Sequence, residues 1–120
     1  MGLTRSVFGV AMAAAMLIGA ATLQAHMKLE KSEPAANAVV SAPPPHVQVF
    51  FTEVPDLKVS KLEVKGPSPA TKLVKLHVMD KSLMAVVEGE MPDGAYTVSW
   101  QAAGKDGHIQ KGEFAFTVKR

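Results

Sequence analysis

The chain has 120 residues, 48% of them hydrophobic, with 13 basic against 11 acidic residues, a formal net charge of +2 and no cysteine. So even a balance excludes the clustered basic face that nucleic acid demands. Without thiolates there is no disulfide framework, no blue-copper centre and none of the usual structural zinc sites.

The chain opens on a secretory signal. Arg5 supplies the positive start, residues 7 to 21 form an apolar run, and Leu23-Gln24-Ala25 follows as the cleavage site, with Ala25 suited to its last position and Leu23 less common two positions earlier. The run is short for a spanning helix, which needs ~20 apolar residues, and polar Thr22 and Gln24 end it. Cleavage after Ala25 therefore leaves a product with no stable membrane insertion. That product is a single domain, residues 26–120, of a size that forms one core without staples. It begins at His26.

From there the chain reads as short extended runs. Val47, Val49 and Phe51 alternate with Gln48 and Thr52, and Leu62 and Val64 with Lys61, Glu63 and Lys65. Val74, Leu76 and Val78 alternate with Lys75 and His77, and Leu83, Ala85 and Val87 with Met84 and Val86. Tyr96, Val98 and Trp100 alternate with Thr97, Ser99 and Gln101, and Phe114, Phe116 and Val118 with Glu113, Ala115 and Thr117. Period-two alternation predicts strands with one buried face. Breakers rich in proline, glycine and polar turn residues separate them: 42–45, 66–69, 91–94 and 104–107. No helical stripe interrupts the pattern. About seven short strands at this spacing predict an all-β antiparallel sandwich.

Four side chains stand out as potential metal ligands. An N-terminal His26 offers its α-amine and its imidazole to one ion in a small chelate ring. Asp106-Gly107-His108, in the predicted loop before the last strand, adds a carboxylate and a second imidazole. Three nitrogens and an oxygen in a tetragonal set favour Cu(II). The amine, ordinarily titrating near ~7.7–8, must lose its proton, and both imidazoles must be neutral, so copper affinity should fall with pH. The fourth is Glu53, at the end of the Val47–Phe51 run. It reads as a weak ligand, a carboxylate that orients an imidazole, or a solvated strand end. Met79, Met84 and Met91 read as packing residues. His46, after three prolines, is expected in a loop, and His77 on the solvated face with Lys75, opposite Val74, Leu76 and Val78.

The order of these residues resembles the CopC copper-binding proteins of the bacterial periplasm. It carries His26-x-x-Leu29-x-x-Ser32-x-Pro34 and Phe51-Thr52-Glu53. It then carries Pro92-x-Gly94-x-Tyr96-Thr97-Val98-x-Trp100, Asp106-Gly107-His108 and Gly112-x-Phe114-x-Phe116-Thr117-Val118. The resemblance covers nearly all of residues 26–120. It implies a Greek-key, cupredoxin- or immunoglobulin-like β-sandwich and a periplasmic location. It implies a Cu(II) site formed by His26, Asp106 and His108, with Glu53 at an acidic position near it. The implied role is a monomeric carrier or buffer in copper homeostasis and resistance, not an enzyme, passing copper to an inner-membrane CopD-type transporter. Met27 stands where alanine is common, and Gly104-Lys105 where a serine-containing pair is usual. Some members bind Cu(I) through a methionine-rich loop; the matching stretch here, 66–76, has no methionine, so no such site is carried over.

Two other classes fit parts of the pattern. An N-terminal histidine with a second histidine resembles the copper brace of oxidative polysaccharide-cleaving enzymes. Those need an open copper position and a flat aromatic face, whereas Asp106 competes for the copper plane and Tyr96 and Trp100 are directed at the core. A purely structural sandwich with incidental histidines predicts no tight copper binding.

Overall fold

A computed structural model describes residues 27–120 of the chain. The signal and His26 lie outside the described residues. Eight strands are formed: β1 (Leu29–Glu33), β2 (Val39–Val40), β3 (His46–Phe51), β4 (Lys61–Lys65), β5 (Lys72–Met79), β6 (Ser82–Glu88), β7 (Gly94–Ala103) and β8 (Ile109–Val118). One 3-10 turn, Leu57–Val59, sits between β3 and β4 and is capped by Asp56, whose Oδ1 accepts from the Lys58 amide. The strands form two four-stranded sheets, ordered β1-β3-β6-β5 and β2-β8-β7-β4. The expected all-β sandwich is therefore present, with the expected runs at β3 to β8.

Two strands had no legible pattern. Leu29-Glu30-Lys31-Ser32-Glu33 is an exposed, charged edge strand, the type that blunts a sheet edge. Val39–Val40 is too short to alternate. It runs parallel to β8, not antiparallel, and is held where Thr117 and Lys119 donate amides to the Ala38 and Val40 carbonyls.

The core forms where the two sheets face each other. Val47, Val49, Phe51, Leu83 and Ala85 come from the first sheet; Leu62, Tyr96, Val98, Trp100, Phe114, Phe116 and Val118 come from the second. Phe51 meets Trp100 edge-on across the interface, with ring centres 5.3 Å apart at 67°. Tyr96 and its register partner Phe116 stack at 5.4 Å. Such aromatic pairs add ~0.5–1.5 kcal/mol beyond the area they bury. The Tyr96 hydroxyl donates to the Pro92 carbonyl, closing a tyrosine corner at the start of β7. Burial pushes this phenol above its ordinary titration range, with Arg120 opposing, so the hydroxyl keeps its proton and remains a donor.

Two placements differ from expectation. His46 is not in a loop: it opens β3, paired with Val86, because the three prolines end one residue before the ladder begins. Val74 does not share the inner face with Leu76 and Val78. The β5–β6 register shifts between Val74 and His77, which puts Val74 opposite exposed Val86, while Leu76 and Val78 pack on the core. One extra residue reverses every side chain beyond it, and alternation counted along the sequence does not register such a bulge.

Replacing Tyr96 with Phe deletes only the corner hydrogen bond. We expect Tyr96→Phe to lower unfolding free energy by about 1 kcal/mol, the net contribution of such a bond, in urea titrations. An unchanged midpoint and slope would mean that the corner adds nothing.

Candidate metal centre

β3 leads into Thr52 and Glu53 at the same end of the sandwich as the 104–108 link between β7 and β8. Gly104 to Gly107 forms a turn in which the Gly107 amide donates to the Gly104 carbonyl at 3.1 Å. Gly107 has φ +75, a conformation that glycine adopts without steric cost. Asp106 suits its position because Oδ1 accepts from the His108 amide at 3.2 Å, an Asx-type turn. The same geometry brings Asp106 Oδ2 to 3.2 Å from His108 Nδ1. A carboxylate only accepts, so Nδ1 is the donor in this contact. The His108 side chain is 70% exposed and that of Asp106 29%.

Glu53 reaches this loop from the other sheet. Its Oε1 accepts from the Lys105 amide at 3.0 Å. A Cβ on Gly104 would collide with the Glu53 carboxylate. The Gly104-Lys105 spelling thus has a local cause: the carboxylate needs the space at 104 and the amide at 105. Among the described residues, the Glu53 carboxylate hydrogen-bonds to backbone and to no imidazole. Among the described residues, no three His, Cys, Asp or Glu side chains gather into a metal-holding group. Asp106 and His108 are brought together, Glu53 supports the loop that carries them, and His26 falls outside the described residues.

Met27, named above only as a departure from the usual alanine, and Gln110, which the sequence does not mark, fix the adjoining chain. Met27 is only 1% exposed and belongs to the core. Its carbonyl accepts from Gln110 Nε2 at 2.6 Å, two residues beyond His108. Next to it, the Lys28 amide donates to Thr52 Oγ1 and the Thr52 amide to the Lys28 carbonyl, both at 2.8 Å. Met27 is thus pinned between the end of β3 and the start of β8. Its hydrophobicity was the only available signal, and one apolar residue outside any alternating run carries little weight. The Gln110 contact spans 83 residues and leaves no trace in local pattern.

Beneath the loop lies Trp100. Gly112 faces it in the ladder, and a Cβ there would come within 2.6 Å of the indole Cζ2. The indole Nε1 is buried with no hydrogen-bond partner among the described residues.

Residues 29–119 match the family model described as the CopC domain. Among curated proteins, the chain is 34% identical over 99 residues to Protein YobA of Escherichia coli, covering 79% of this chain and 80% of that protein. It is 34% identical over 119 residues to Copper resistance protein C of Xanthomonas campestris pv. juglandis, covering 92% of each. Among solved structures it superposes on PcoC, a methionine-rich copper resistance protein from Escherichia coli. That alignment has a TM-score of 0.67 and 32% identity, and covers 79% of this chain and 100% of the other.

The steric link between residues 53 and 104 can be tested by a double-mutant cycle. We expect Gly104→Ala to cost about 1–3 kcal/mol, as overpacking does, and clearly less in a Glu53→Ala background, where the colliding carboxylate is gone. Equal losses in both backgrounds, measured by urea unfolding, would show that the close approach does not govern the loop.

Proposed function

The chain belongs to the CopC family, and we propose that it is a periplasmic Cu(II) carrier or buffer in copper homeostasis and resistance, with no catalytic step. In this reading Cu(II) is the cargo. Its ligands are the α-amine and imidazole of His26, freed by signal cleavage, the imidazole of His108 and the carboxylate of Asp106. One observation carries the proposal: Asp106 and His108 stand side by side at the loop, and Met27 is anchored next to that loop.

The donors suit the ion. Amine, imidazole and carboxylate form the nitrogen and oxygen set that Cu(II) prefers, and copper leads the divalent series in affinity for such sites. The Asp106 contact to Nδ1 directs the His108 Nε2 lone pair outward, the device by which carboxylates set up ligating histidines. Glu53 holds the loop through the Lys105 amide and adds negative charge near a dication. Release to an inner-membrane CopD-type transporter would exploit the open face of the site.

A competitive Cu(II) titration on two forms tests the ligand set: one form beginning at His26, the other carrying an extra alanine before it. Trp100, the sole tryptophan, gives the readout, since a paramagnetic ion nearby quenches indole emission. We expect tight binding only when the amine is free. His108→Ala should lose more affinity than the ~10–100-fold that supporting residues cost. Equal affinity of the two forms would rule the amine out as a ligand.

The same ligand set fixes a pH dependence. Protons compete for the amine and both imidazoles, so Cu(II) affinity should fall continuously as pH is lowered from 8 to 5. In the alanine-extended form the fall should be shallower by the proton that the amine no longer exchanges. A pH-independent affinity would be incompatible with nitrogen ligation.

A further inference from the structure

β8 is 10 residues long, but its outer side is only partly covered. In the order β2-β8-β7-β4, β7 pairs with β8 from Ile109 to Val118, whereas β2 meets only Thr117 and Val118. Backbone bonds show which residues here point away from β7. The Ala115 carbonyl accepts from the Asn37 amide, and the Thr117 and Lys119 amides donate to the Ala38 and Val40 carbonyls. Backbone groups alternate sides along an antiparallel ladder, and the β7–β8 register is unbroken. Ile109, Lys111 and Glu113 therefore direct their N–H and C=O groups outward as well. Among the described residues, nothing hydrogen-bonds to these groups. The result is an open sheet edge over 109–113, which starts one residue after His108.

The side chains beside this edge form two charged rows. On the outer face of the second sheet, Lys61, Gln101 and Lys111 lie in one row across β4, β7 and β8; Glu63, Ser99 and Glu113 form the next. Like charge thus shares a row with like. None of the four charged groups makes an ion pair among the described residues. Ser99 between them is short, and the rows border an open concavity of about 460 Å³. A strand added ~4.7–4.9 Å from β8 extends both rows by one position. An acidic residue opposite Lys111 and a basic one opposite Glu113 would give each row its missing countercharge. Opposite charges directly across a ladder stabilise it, and like charges destabilise it.

A second copy of the chain fits this edge poorly. Symmetric antiparallel pairing of 109–113 with itself sets Lys111 against its own counterpart. Shifting the register to match Lys111 with Glu113 sets Ile109 beside Ala115, whose carbonyl the Asn37 amide already occupies. Charged edge residues block self-association in this way, yet they admit a segment of complementary sequence. The long edge strand of the first sheet, β5, offers no such regular template. Its register shifts between Val74 and His77, and Lys75 sits at φ +57.

We propose that β8 from Ile109 to Glu113 takes up an extended segment of a partner protein as an added antiparallel strand. From its N-terminal side the segment reads basic, any, acidic, any, apolar. The basic residue meets Glu113, the acidic one Lys111, and the apolar one exposed Ile109. Main-chain bonds to the outward groups at 109, 111 and 113 supply affinity, and alternate side chains supply specificity. The site needs no metal, so it stands or falls independently of the ligand set proposed above.

Nuclear magnetic resonance on the metal-free chain beginning at His26 tests it. Without peptide, the amides of Ile109, Lys111 and Glu113 should exchange with deuterium at least about a hundredfold faster than those of Gln110, Gly112 and Phe114, which face β7. The probe is acetyl-Lys-Thr-Glu-Thr-Val-amide, with acetyl-Glu-Thr-Lys-Thr-Val-amide as its charge-reversed control. The probe should give saturable shifts at Ile109, Lys111 and Glu113 and slow their exchange. It should also move the Trp100 indole resonance, because that ring lies against Gly112. The control should bind at least about fivefold more weakly, since two cross-strand charge pairs change sign. In the double variant Lys111→Glu, Glu113→Lys the preference should invert. Both positions are exposed, so the fold survives. No saturable shift at the edge, equal binding of the two peptides, or an unaltered preference in the double variant would overturn the proposal. So would slow exchange of the three edge amides in the free chain. Edge shifts that follow protein concentration without peptide would overturn it in favour of a second copy.

Discussion

The burial of Met27 is the constraint on which the loop end of the sandwich depends. A fully buried methionine one residue from a potential N-terminus removes the freedom that chain ends usually keep. Its side chain belongs to the same core as Phe51, Trp100 and Phe114. Its own carbonyl is tied to Gln110 on one sheet, and the next residue, Lys28, to Thr52 beyond the end of β3 in the other. A chelating terminus on a frayed chain would have to be ordered anew for each ion, at ~1–2 kcal/mol per residue fixed. Here folding orders the neighbouring residue in advance. The methionine that departs from the family's common alanine is thus a structural anchor, and its size is what the core uses.

The loop that faces this anchor is held by a second economy of space. Gly104 leaves room for the Glu53 carboxylate, and that carboxylate fastens the Lys105 amide. Asp106 and His108 then settle their mutual geometry through two contacts within a single turn. The first sheet thereby positions a loop of the second. The Phe51–Trp100 contact beneath does the same through the core, since Phe51 immediately precedes Thr52 and Glu53, and Trp100 leads into Ala103 and Gly104. A disturbance of the sheet interface would therefore be felt at the loop.

How much of this was legible in the sequence depended on whether the cause was local. The six runs that bury one face showed as period-two alternation, because each such strand meets the core on alternate residues. The Asp106-Gly107-His108 turn was legible because its hydrogen bonds close within three residues. β1 was not, since an exposed charged edge strand has no buried face to betray it. Nor was β2, whose two residues owe their conformation to β8. The Met27–Gln110 bond joins residues that only the folded chain makes neighbours. The bulge at Lys75 defeated the face assignment of Val74 for the same reason: its evidence is a register on another strand.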